Sequence, residues 1–541
     1  MNSRPIRTPA FLLALLFLLG GILPSAPLQA ADKPQKTPSN PGILHPSDPL
    51  FSGPILRFEL ETDRAGMESL RREPRQSVPA TLRIGSNSWE SVGIRVKGAA
   101  GSTRSIDDLP ALTLNIDKFK KGQKFHGLEK IHLNNSVQDP SRMSEIVCAD
   151  LYRRAGIPAT RASHALVTLN GRNLGLYVLK EGFDKTFLRR HFNDPSGNLY
   201  DGGFLQDIDQ ELKLDSGKEP PDWKDLRSLA NATQLRDPVQ RQKGLEQWLE
   251  VDRFITYTAL QVLTEDWDGY PANRNNYRLY HEPASGRFTF LPHGMDQMFD
   301  HGGMPLDRGF EGMVAQGVFQ IRDWRQAYFD RISSLLTNIF TTETILPVFD
   351  AAVARREPAL SLLRRGQAEQ IRSATRNIRA RIVHRVDNAR EQMENRPQPV
   401  GIDAEGRIRL ARWNPRQSED GGLAERATGP EAKPELRLIL RDGGQVSWRT
   451  RATLPPGRYR FEGMGQARNV DSSHDGTGSG LGLRISGSPR DNGLTGSTDW
   501  QPLAFEFALD SEAQVELVAE LRGRRGTGAF DPSAFVLRQL R

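Results

Sequence analysis

Carboxylate and amide side chains are concentrated in one stretch of the chain, residues 265–299. Within it, Asp268 and Asn273 are separated by four residues, and Asp296 follows an apolar segment. Phosphoryl transfer uses such a set, because one Asp orients the attacking hydroxyl group while an Asn and a second Asp hold divalent metal. The stretch therefore predicts a metal-dependent site for phosphoryl transfer.

These residues also have other interpretations. Asp268 precedes residues typical of a turn, and Asn276 could serve the backbone of a hairpin. A lone carboxylate such as Asp296 is costly to bury after an apolar strand without a cation, which favours a functional role. A metal-dependent hydrolase is a weaker alternative, because His293 and His301 have no recognisable ligand spacing.

The composition limits the class of protein. Lysine and arginine total 73 and aspartate and glutamate total 66, so the formal net charge is +7. This small excess does not favour nucleic acid as a partner, although it is compatible with phosphate-bearing ligands. Cys148 is the only cysteine, so no intrachain disulfide can form, and the length of 541 residues implies at least two domains.

The first residues have the features of an export signal. Two arginine residues precede an apolar run, Phe11–Leu23, and small residues follow up to Ala30. Residues 1–30 are therefore predicted to be a signal peptide, and residues 31–54 a disordered, proline-rich leader. We expect an exported protein, periplasmic or at the cell surface or outside the cell, with no stable transmembrane segment after signal cleavage. An uncleaved membrane anchor is the alternative.

Regular elements are predicted on both sides of the acidic stretch. Asp139-Pro140 is typical of a helix start, and the Asn170-Gly171 turn indicates a hairpin over residues 165–179. A helix over residues 248–263 leads into the acidic stretch, and residues 325–394 are predicted to be helical. We therefore predict a small mixed sheet followed by a helical lobe. The predicted strands of the first part are 55–60, 78–84, 92–97 and 112–116.

A different pattern begins after Asn395. Short alternating strands separated by Gly, Pro and Asp turns predict a β-sandwich of jelly-roll type over residues 396–541. Trp448 and Trp500 could stack on sugar rings or lie in the core, and we favour the core. A carbohydrate, an envelope component or a partner protein is the expected ligand of this part.

Several separated motifs between Val78 and Phe299 occur in the order found in one known family. They are Arg95-Val96-Lys97-Gly98, Phe125 to Asn135, Asp139-Pro140-Ser141-Arg142, Gly175 to Glu181, Gly197 to Tyr200, Trp267 to Tyr277 and Pro292 to Phe299. Through these motifs the chain resembles the CotH kinase family, the secreted atypical kinases similar to spore coat protein H. Each motif is weak by itself, and their order and number make the resemblance specific.

The resemblance implies a fold class and an activity. It implies a divergent, two-lobed, protein-kinase-like domain over residues 55–395. The region after Asn395 lies outside the resemblance, so the expected α+β fold combines this domain with the all-β domain that the strand pattern predicts at 396–541. The activity would be transfer of the ATP γ-phosphate to Ser or Thr of secreted or envelope proteins, with Mg²⁺ or Mn²⁺ as the metal. An exported protein substrate is the partner that this activity requires.

The resemblance also implies roles for individual residues. Asp268 would align the substrate hydroxyl group and accept its proton. Asp296, Asn273 and Asn276 would hold the metal ion, with Asn275 as a substitute if the loop register differs. The residues that would bind the nucleotide are Arg95, Lys97, Lys180, Glu145 and, beside the adenine base, Glu181.

Two departures from the family pattern favour an alternative function. His293-Gly294 stands where the family has a Trp-Asp pair, so one metal carboxylate is missing. The segment 109–113 contains no lysine, whereas the family carries lysines on this strand. The alternative is a catalytically inactive CotH-like scaffold at the surface or envelope, which would bind protein or carbohydrate through its β-sandwich.

Overall fold

The computed structural model describes most of the chain. The predicted signal peptide, 1–30, and residues 31–47 of the predicted leader lie outside the described residues. The described residues are 48–99, 101–218, 220–396, 407–410, 412–417, 422–429, 433–471, 479–510 and 513–540.

The described structure begins with a short helix, α1 (Asp48–Ser52). Its Leu50 and Phe51 are buried in the same hydrophobic cluster as the strands that follow. The prediction of a disordered leader up to residue 54 is therefore wrong for its last residues, because these two apolar side chains find a core to pack against.

Seven strands of the first part close into a barrel, and a helix, α2 (Arg64–Arg72), lies between the first two. The strands are β1 (Leu56–Glu61), β2 (Val78–Ile84), β3 (Asn87–Lys97), β4 (Ala111–Asn115), β5 (Lys130–Asn134), β6 (Ala162–Leu169) and β7 (Arg172–Glu181). Their order around the barrel is β1-β2-β3-β4-β5-β7-β6, and β1 pairs with β6 in parallel to close it. The strands predicted from the sequence are confirmed, but closure into a barrel was not predicted.

The hairpin of β6 and β7 is confirmed at its turn. Asn170 and Gly171 have φ values of 47° and 77°, the left-handed conformation that a tight hairpin turn requires. The two strands that it joins, with β1 and β5 on either side, carry the chain to Glu181 at the end of β7.

Alternation along the strands gives the barrel an apolar core and a polar outer face. On β3, Ile94 and Val96 are buried in the core, so Arg95 and Lys97 point to the opposite side. Because the neighbouring strands keep this register, polar residues of β3, β4, β5 and β7 share one outer face.

A helix, α3 (Ser144–Arg154), follows β5 and starts later than Asp139-Pro140 predicts. Arg142 has a φ of 60°, which an α-helix cannot contain, so the helix begins only after it. Asp139 still serves the helix start, because its Oδ2 accepts a hydrogen bond of 3.0 Å from the N–H of Ser144.

Residues 185–394 are mainly helical and carry a second sheet. The helices are α4 (Lys185–His191), α5 (Lys224–Gln234), α6 (Pro238–Trp248), α7 (Val251–Leu263), α8 (Tyr270–Asn273), α9 (Met313–Phe319), α10 (Arg322–Asn338), α11 (Thr342–Leu360) and α12 (Arg365–Glu394). The strands are β8 (Asn198–Asp201), β9 (Lys213–Ser216), β10 (Tyr277–Glu282) and β11 (Arg287–Pro292). They form an antiparallel sheet in the order β11-β10-β8-β9, and the hairpin β10–β11 connects the two halves of the acidic stretch.

The described residues from 407 onward form strands and one short 3₁₀ helix, Pro532–Ala534. The strands are β12 (Arg407–Arg409), β13 (Asn414–Arg416), β14 (Leu423–Thr428), β15 (Pro434–Leu440), β16 (Gly444–Leu454), β17 (Gly457–Arg468), β18 (Gly480–Ile485), β19 (Gln501–Leu509), β20 (Ala513–Gly523), β21 (Gly526–Phe530) and β22 (Val536–Leu540). They form a seven-stranded and a four-stranded sheet whose apolar residues share one core, which is a sandwich arrangement.

Trp448 lies in the core of this sandwich with only 2% of its surface exposed, so its interpretation as a core residue is confirmed. Trp500 is half-buried. The boundary of a separate domain at residue 396 stays a prediction.

In the part of the chain that the structure describes, no single helix is long and apolar enough to cross a bilayer. The pair α10 and α11, bent by 60°, meets the requirement by length and composition alone.

Candidate active site

A row of polar residues crosses the outer face of the barrel. The cross-strand partners are Arg95 with Thr113, Thr113 with His132, and His132 with Lys180. Thr113 Oγ1 lies 3.0 Å from His132 Nδ1, while Arg95 has no ion-pair partner among the described residues. This face therefore presents several basic groups next to one another.

Glu145 of α3 connects two lysines of this face. Lys180 forms a buried ion pair with Glu145, whose exposed fraction is 2%. Asn134 at the end of β5 donates a hydrogen bond of 2.6 Å to the second oxygen of Glu145, and its own oxygen accepts one of 2.5 Å from Lys97. The structure thus brings three of the predicted nucleotide-binding residues, Lys97, Lys180 and Glu145, into one hydrogen-bonded network.

The charges of this network are unevenly balanced. Burial and the neighbouring Lys180 lower the pKa of Lys97 to about 8, although Glu145 and Asp296 act in the opposite direction. Burial raises the pKa of Glu145, but Lys180 and Lys97 outweigh this effect and lower it below its usual value. Glu145 is therefore an anion at neutral pH, held between two cations.

Asp268 is fixed by three amide groups of the loop that follows it. The side-chain N–H groups of Asn273, Asn275 and Asn276 donate to its carboxylate over 2.9, 3.0 and 2.9 Å. The chain can fold back in this way because Arg274 and Asn276 both adopt the left-handed conformation, with φ of 52° and 50°. The structure therefore brings the predicted Asp268, Asn273 and Asn276 together.

The same hydrogen bonds leave the amide oxygens available. No described residue donates a hydrogen bond to Oδ1 of Asn273 or Asn276, and the amide orientation is fixed because only the N–H₂ side can donate to a carboxylate. No group of three or more His, Cys, Asp or Glu side chains in the described residues could hold a metal ion. A cation here would therefore need these amide oxygens beside a carboxylate.

Asp296 lies four residues beyond the end of β11, half-buried, and no other described residue donates a hydrogen bond to its side chain. Burial, and then the negative charge of Glu145, raise the pKa of Asp296 to about 7, while Lys97 works to lower it. The charges of Asp268 and Asp296 both raise the pKa of a third carboxyl group, that of Asp266. An uncompensated carboxyl group such as that of Asp296 is a suitable ligand for a cation.

Glu181 is not brought together with the other predicted residues. It follows Lys180 on β7 and therefore points to the opposite side of the strand. Its fully buried carboxylate is bound by Arg161 at 3.0 Å and Arg190 at 2.5 Å, and its N–H donates to the carbonyl oxygen of Arg161. The side chain of Glu181 therefore has no free position for a nucleotide, and its expected place beside adenine is wrong for the side chain.

The structure explains why glycine occupies position 294, where a metal-binding carboxylate was expected. Its φ is 63°, and a Cβ atom added there would lie 2.5 Å from Oδ1 of Asn276. A side chain at this position would thus displace Asn276 from the Asp268 loop. His293 packs edge-on against Phe183, whereas the N–H of His301 donates to Glu265, so the two histidines do not form a metal site together.

Two residues of the acidic stretch were missed by the sequence analysis, Glu265 and Asp266. Glu265 is fully buried and accepts hydrogen bonds from the N–H groups of His301, Gly302 and Met304, at 3.0, 2.7 and 3.0 Å. Asp266 is 3% exposed and lies behind the Asp268 loop. Their place directly before Trp267-Asp268 was the available signal, since charged residues in so short a run seldom all face solvent.

The family model described as CotH kinase protein matches residues 94–398, more than half of the 541 residues. The chain belongs to the CotH kinase protein family. The match covers most of the barrel, the helical region and the whole Asp268 loop.

Curated relatives of this CotH-family chain come from a bacterium and a fungus. Inner spore coat protein H of Bacillus subtilis is 25% identical over 303 residues, which cover 52% of this chain and 80% of the relative. Invasin CotH2 of Rhizopus delemar is 22% identical over 330 residues, and the match spans 53% of this chain and about half, 54%, of that relative.

Two solved structures show a distant likeness to the CotH-family chain. The Helicobacter pylori proinflammatory kinase CtkA is 12% identical with a TM-score of 0.23, covering 52% of this chain and 94% of that one. TmCBM61, solved in complex with β-1,4-galactotriose, is 15% identical with a TM-score of 0.19, covering 24% and 90%.

Proposed function

We propose that this CotH-family chain is an exported, ATP-dependent protein kinase that transfers the γ-phosphate to Ser or Thr of secreted or envelope proteins. The observation that carries the proposal is the Asp268 carboxylate, which three loop amides hold in one orientation. An oriented carboxylate of this kind aligns a hydroxyl group for attack on phosphorus.

The basic residues on the outer face of the barrel support a nucleoside triphosphate as the phosphate donor. Lys180 and Lys97 provide two positive charges within one network, and Glu145 fixes the position of both. Arg95 adds a third positive group on the same face. These cations would hold the phosphate groups, because charge-assisted hydrogen bonds to phosphate are stronger than neutral ones.

The donor set fits Mg²⁺ or Mn²⁺. Asp296 offers a carboxylate without a competing donor, and Asn273 and Asn276 offer free amide oxygens. When bound, such a metal ion neutralises charge on the phosphate oxygens during transfer. The three side chains would hold it, while Asp268 accepts the proton of the acceptor hydroxyl group.

The wider arrangement is part of the proposal. The barrel would form one lobe and the helical region the other, within a domain over residues 55–395, and the site would lie between them. The sandwich at 396–541 would be an accessory domain that binds an envelope component, a carbohydrate or a partner protein. Relatives named as a spore coat protein and an invasin support a surface location.

The test measures phosphate transfer from labelled ATP to a general acceptor protein, with residues 31–541 and Mn²⁺. Asp268→Asn should lower the rate at least about 100-fold, because it removes the proton-accepting oxygen while keeping the side-chain shape. Asp252→Asn is the matched control, since the Asp252 side chain is 80% exposed and pairs with Arg331. Equal rates in wild type and Asp268→Asn would overturn the role of Asp268.

Gly294 favours one second candidate, the catalytically inactive scaffold. Its contact with Asn276 excludes the additional carboxylate of the family pattern, which leaves fewer charged ligands for a metal ion. This candidate predicts no phosphate transfer and no thermal shift with ATP and Mn²⁺, together with binding of glycans or cell envelope by the intact chain. Transfer by the wild type would reject it.

A further inference from the structure

Asp266 lies directly behind the Asp268 loop, and the proposed reaction gives it no role so far. It follows the end of α7, and its N–H donates to the carbonyl oxygen of Gln261 over 2.8 Å. Its side chain is buried, with Oδ2 accepting a hydrogen bond of 2.9 Å from the side-chain amide of Gln261. The same amide donates to the hydroxyl group of Tyr257, so Asp266 belongs to a buried polar cluster under the loop.

The surroundings of Asp266 do not stabilise a negative charge. No Lys, Arg or His side chain of the described residues forms an ion pair with it, and its Oδ1 has no hydrogen-bond partner. The charged groups nearby are carboxylates, Asp268 and Asp296. A buried carboxylate without a cation is costly, so an uncharged carboxyl group is the form that this site favours. Burial and the two carboxylates accordingly raise the pKa of Asp266 well above its usual value.

The loop backbone lies directly on this carboxyl group. The backbone N–H groups of Asp268 and Gly269 act to lower its pKa, against the larger effect of burial. A Cβ atom added to Gly269 would lie 2.7 Å from Oδ2 of Asp266 and 2.5 Å from the amide nitrogen of Gln261. The loop can therefore approach so closely only with glycine at this position, which places the backbone of Gly269 against the side chains of Asp266 and Gln261.

We propose that Asp266 is a positioning residue that, as an uncharged hydrogen-bonding group, fixes the backbone of residues 268–269 and thereby the direction of the Asp268 carboxylate. The inference deepens the proposed kinase function and rests on it. Two features then orient Asp268: the three loop amides donate to its carboxylate, and the buried Asp266 side chain lies against the backbone of the next residue, Gly269.

The test compares Asp266→Asn, Asp266→Ala and Val262→Ala with the wild type in the labelled-ATP assay. Asp266→Asn keeps an oxygen acceptor of the same shape without charge, so its kcat should stay within about threefold of wild type. Asp266→Ala removes the support of the loop and should lower kcat about 100-fold, with KM for ATP unchanged, because a misplaced catalytic group costs rate rather than binding. Val262→Ala, at a buried position of α7, should lower the melting temperature without this loss of kcat.

A second measurement does not depend on activity. Hydrogen exchange of the backbone amides of residues 267–270 should be faster in Asp266→Ala than in wild type, and unchanged in Asp266→Asn. Unchanged kcat and exchange in Asp266→Ala, or an equal loss in Asp266→Asn, would overturn the role of Asp266 while the kinase function stands. A wild type that transfers no phosphate would instead overturn the proposed function, and the kinetic role of Asp266 with it.

Discussion

Two buried glutamates, Glu145 and Glu181, form ion pairs on opposite sides of β7. Glu145 is bound by Lys180, which lies on one side of the strand, and by Asn134, which links it to Lys97. Glu181, the next residue after Lys180, is bound on the other side by Arg161 and Arg190. Both carboxylates are almost fully buried, so burial alone does not distinguish them.

The two regions differ in how well their charges are balanced. Burial raises the pKa of Glu181, but the hydrogen bonds and charges of Arg190 and Arg161 outweigh it and lower the pKa to about 2. Around Glu145, the pKa of Lys97 is lowered to about 8 and that of Asp296 is raised to about 7. The charged forms of both groups are therefore disfavoured there. A buried carboxylate that is fully paired with cations typically stabilises the fold. Buried groups with strongly shifted pKa values are instead typical of binding and catalytic sites.

The largest effect on stability is expected at Glu181. Glu181→Gln leaves two buried guanidinium groups without a carboxylate, so the free energy of unfolding should fall by about 3–5 kcal/mol. Glu61→Gln is the matched control, since Glu61 and Arg83 form an exposed pair on the same barrel and should contribute less than about 1 kcal/mol. Denaturant unfolding of both variants measures the difference. Equal stability of Glu181→Gln and Glu61→Gln would contradict a structural role for Glu181.

The pH dependence of the free energy of unfolding, compared between wild type and Glu181→Gln, tests the charge of Glu181 itself. Because the folded-state pKa of Glu181 is lowered from 4.5 to about 2, its contribution is present above pH 4.5 and is lost as the pH falls through 2. Between these two pH values the free energy of unfolding of the wild type should fall by about 3 kcal/mol more than that of Glu181→Gln. This difference corresponds to the lowering of the Glu181 pKa on folding. Parallel curves for the two proteins would show that the carboxylate is not stabilised by its arginines.

The opposite behaviour is expected at Lys97. Lys97→Met removes a charge that burial and the neighbouring Lys180 both disfavour, so the free energy of unfolding should stay the same or rise although the hydrogen bond to Asn134 is lost. Binding of ATP should weaken about 10–100-fold, because a charge-assisted hydrogen bond contributes about 1.5–3 kcal/mol. Calorimetric titration with ATP and Mn²⁺ measures this, with Lys124→Met, at an exposed position between β4 and β5, as control.

A pH titration separates the charge of Lys97 from its size. The lowered pKa of about 8 means that the free protein loses this positive charge as the pH rises through 8. Wild-type affinity for ATP should therefore decrease above pH 8, whereas that of Lys97→Met should change less. A variant that unfolds more easily than wild type but binds ATP normally would place Lys97 with the structural residues.

Much of the fold could be predicted because it depends on local patterns. Apolar alternation located β2 and β3, and the Asn170-Gly171 turn located the hairpin of β6 and β7. The closure of the barrel could not be predicted, since it depends on pairing between β1 and β6, which lie about a hundred residues apart. The start of α3 was wrong because a single residue, Arg142, adopts a left-handed conformation that its side-chain type does not announce.

The candidate site was predicted as far as spacing determines it. Asp268 and Asn273 meet because a short loop connects them, and the other loop amides follow. The family resemblance implied that Lys180 and Glu181 both bind the nucleotide, although a strand directs consecutive residues to opposite sides. Asp266 was missed because its importance depends on burial behind the loop, which only the packing of α7 reveals.

A crystal structure of the chain with a non-hydrolysable ATP analogue and Mn²⁺ tests most directly whether the Glu145 side of β7 binds the nucleotide while the Glu181 side is structural. We expect phosphate groups bound by Lys180 and Lys97, and a metal ion held by Asp296 and the amide oxygens of Asn273 or Asn276. Glu181 should remain bound to Arg161 and Arg190. Phosphate groups bound away from these lysines, or a Glu181 carboxylate released to contact the nucleotide, would contradict the account.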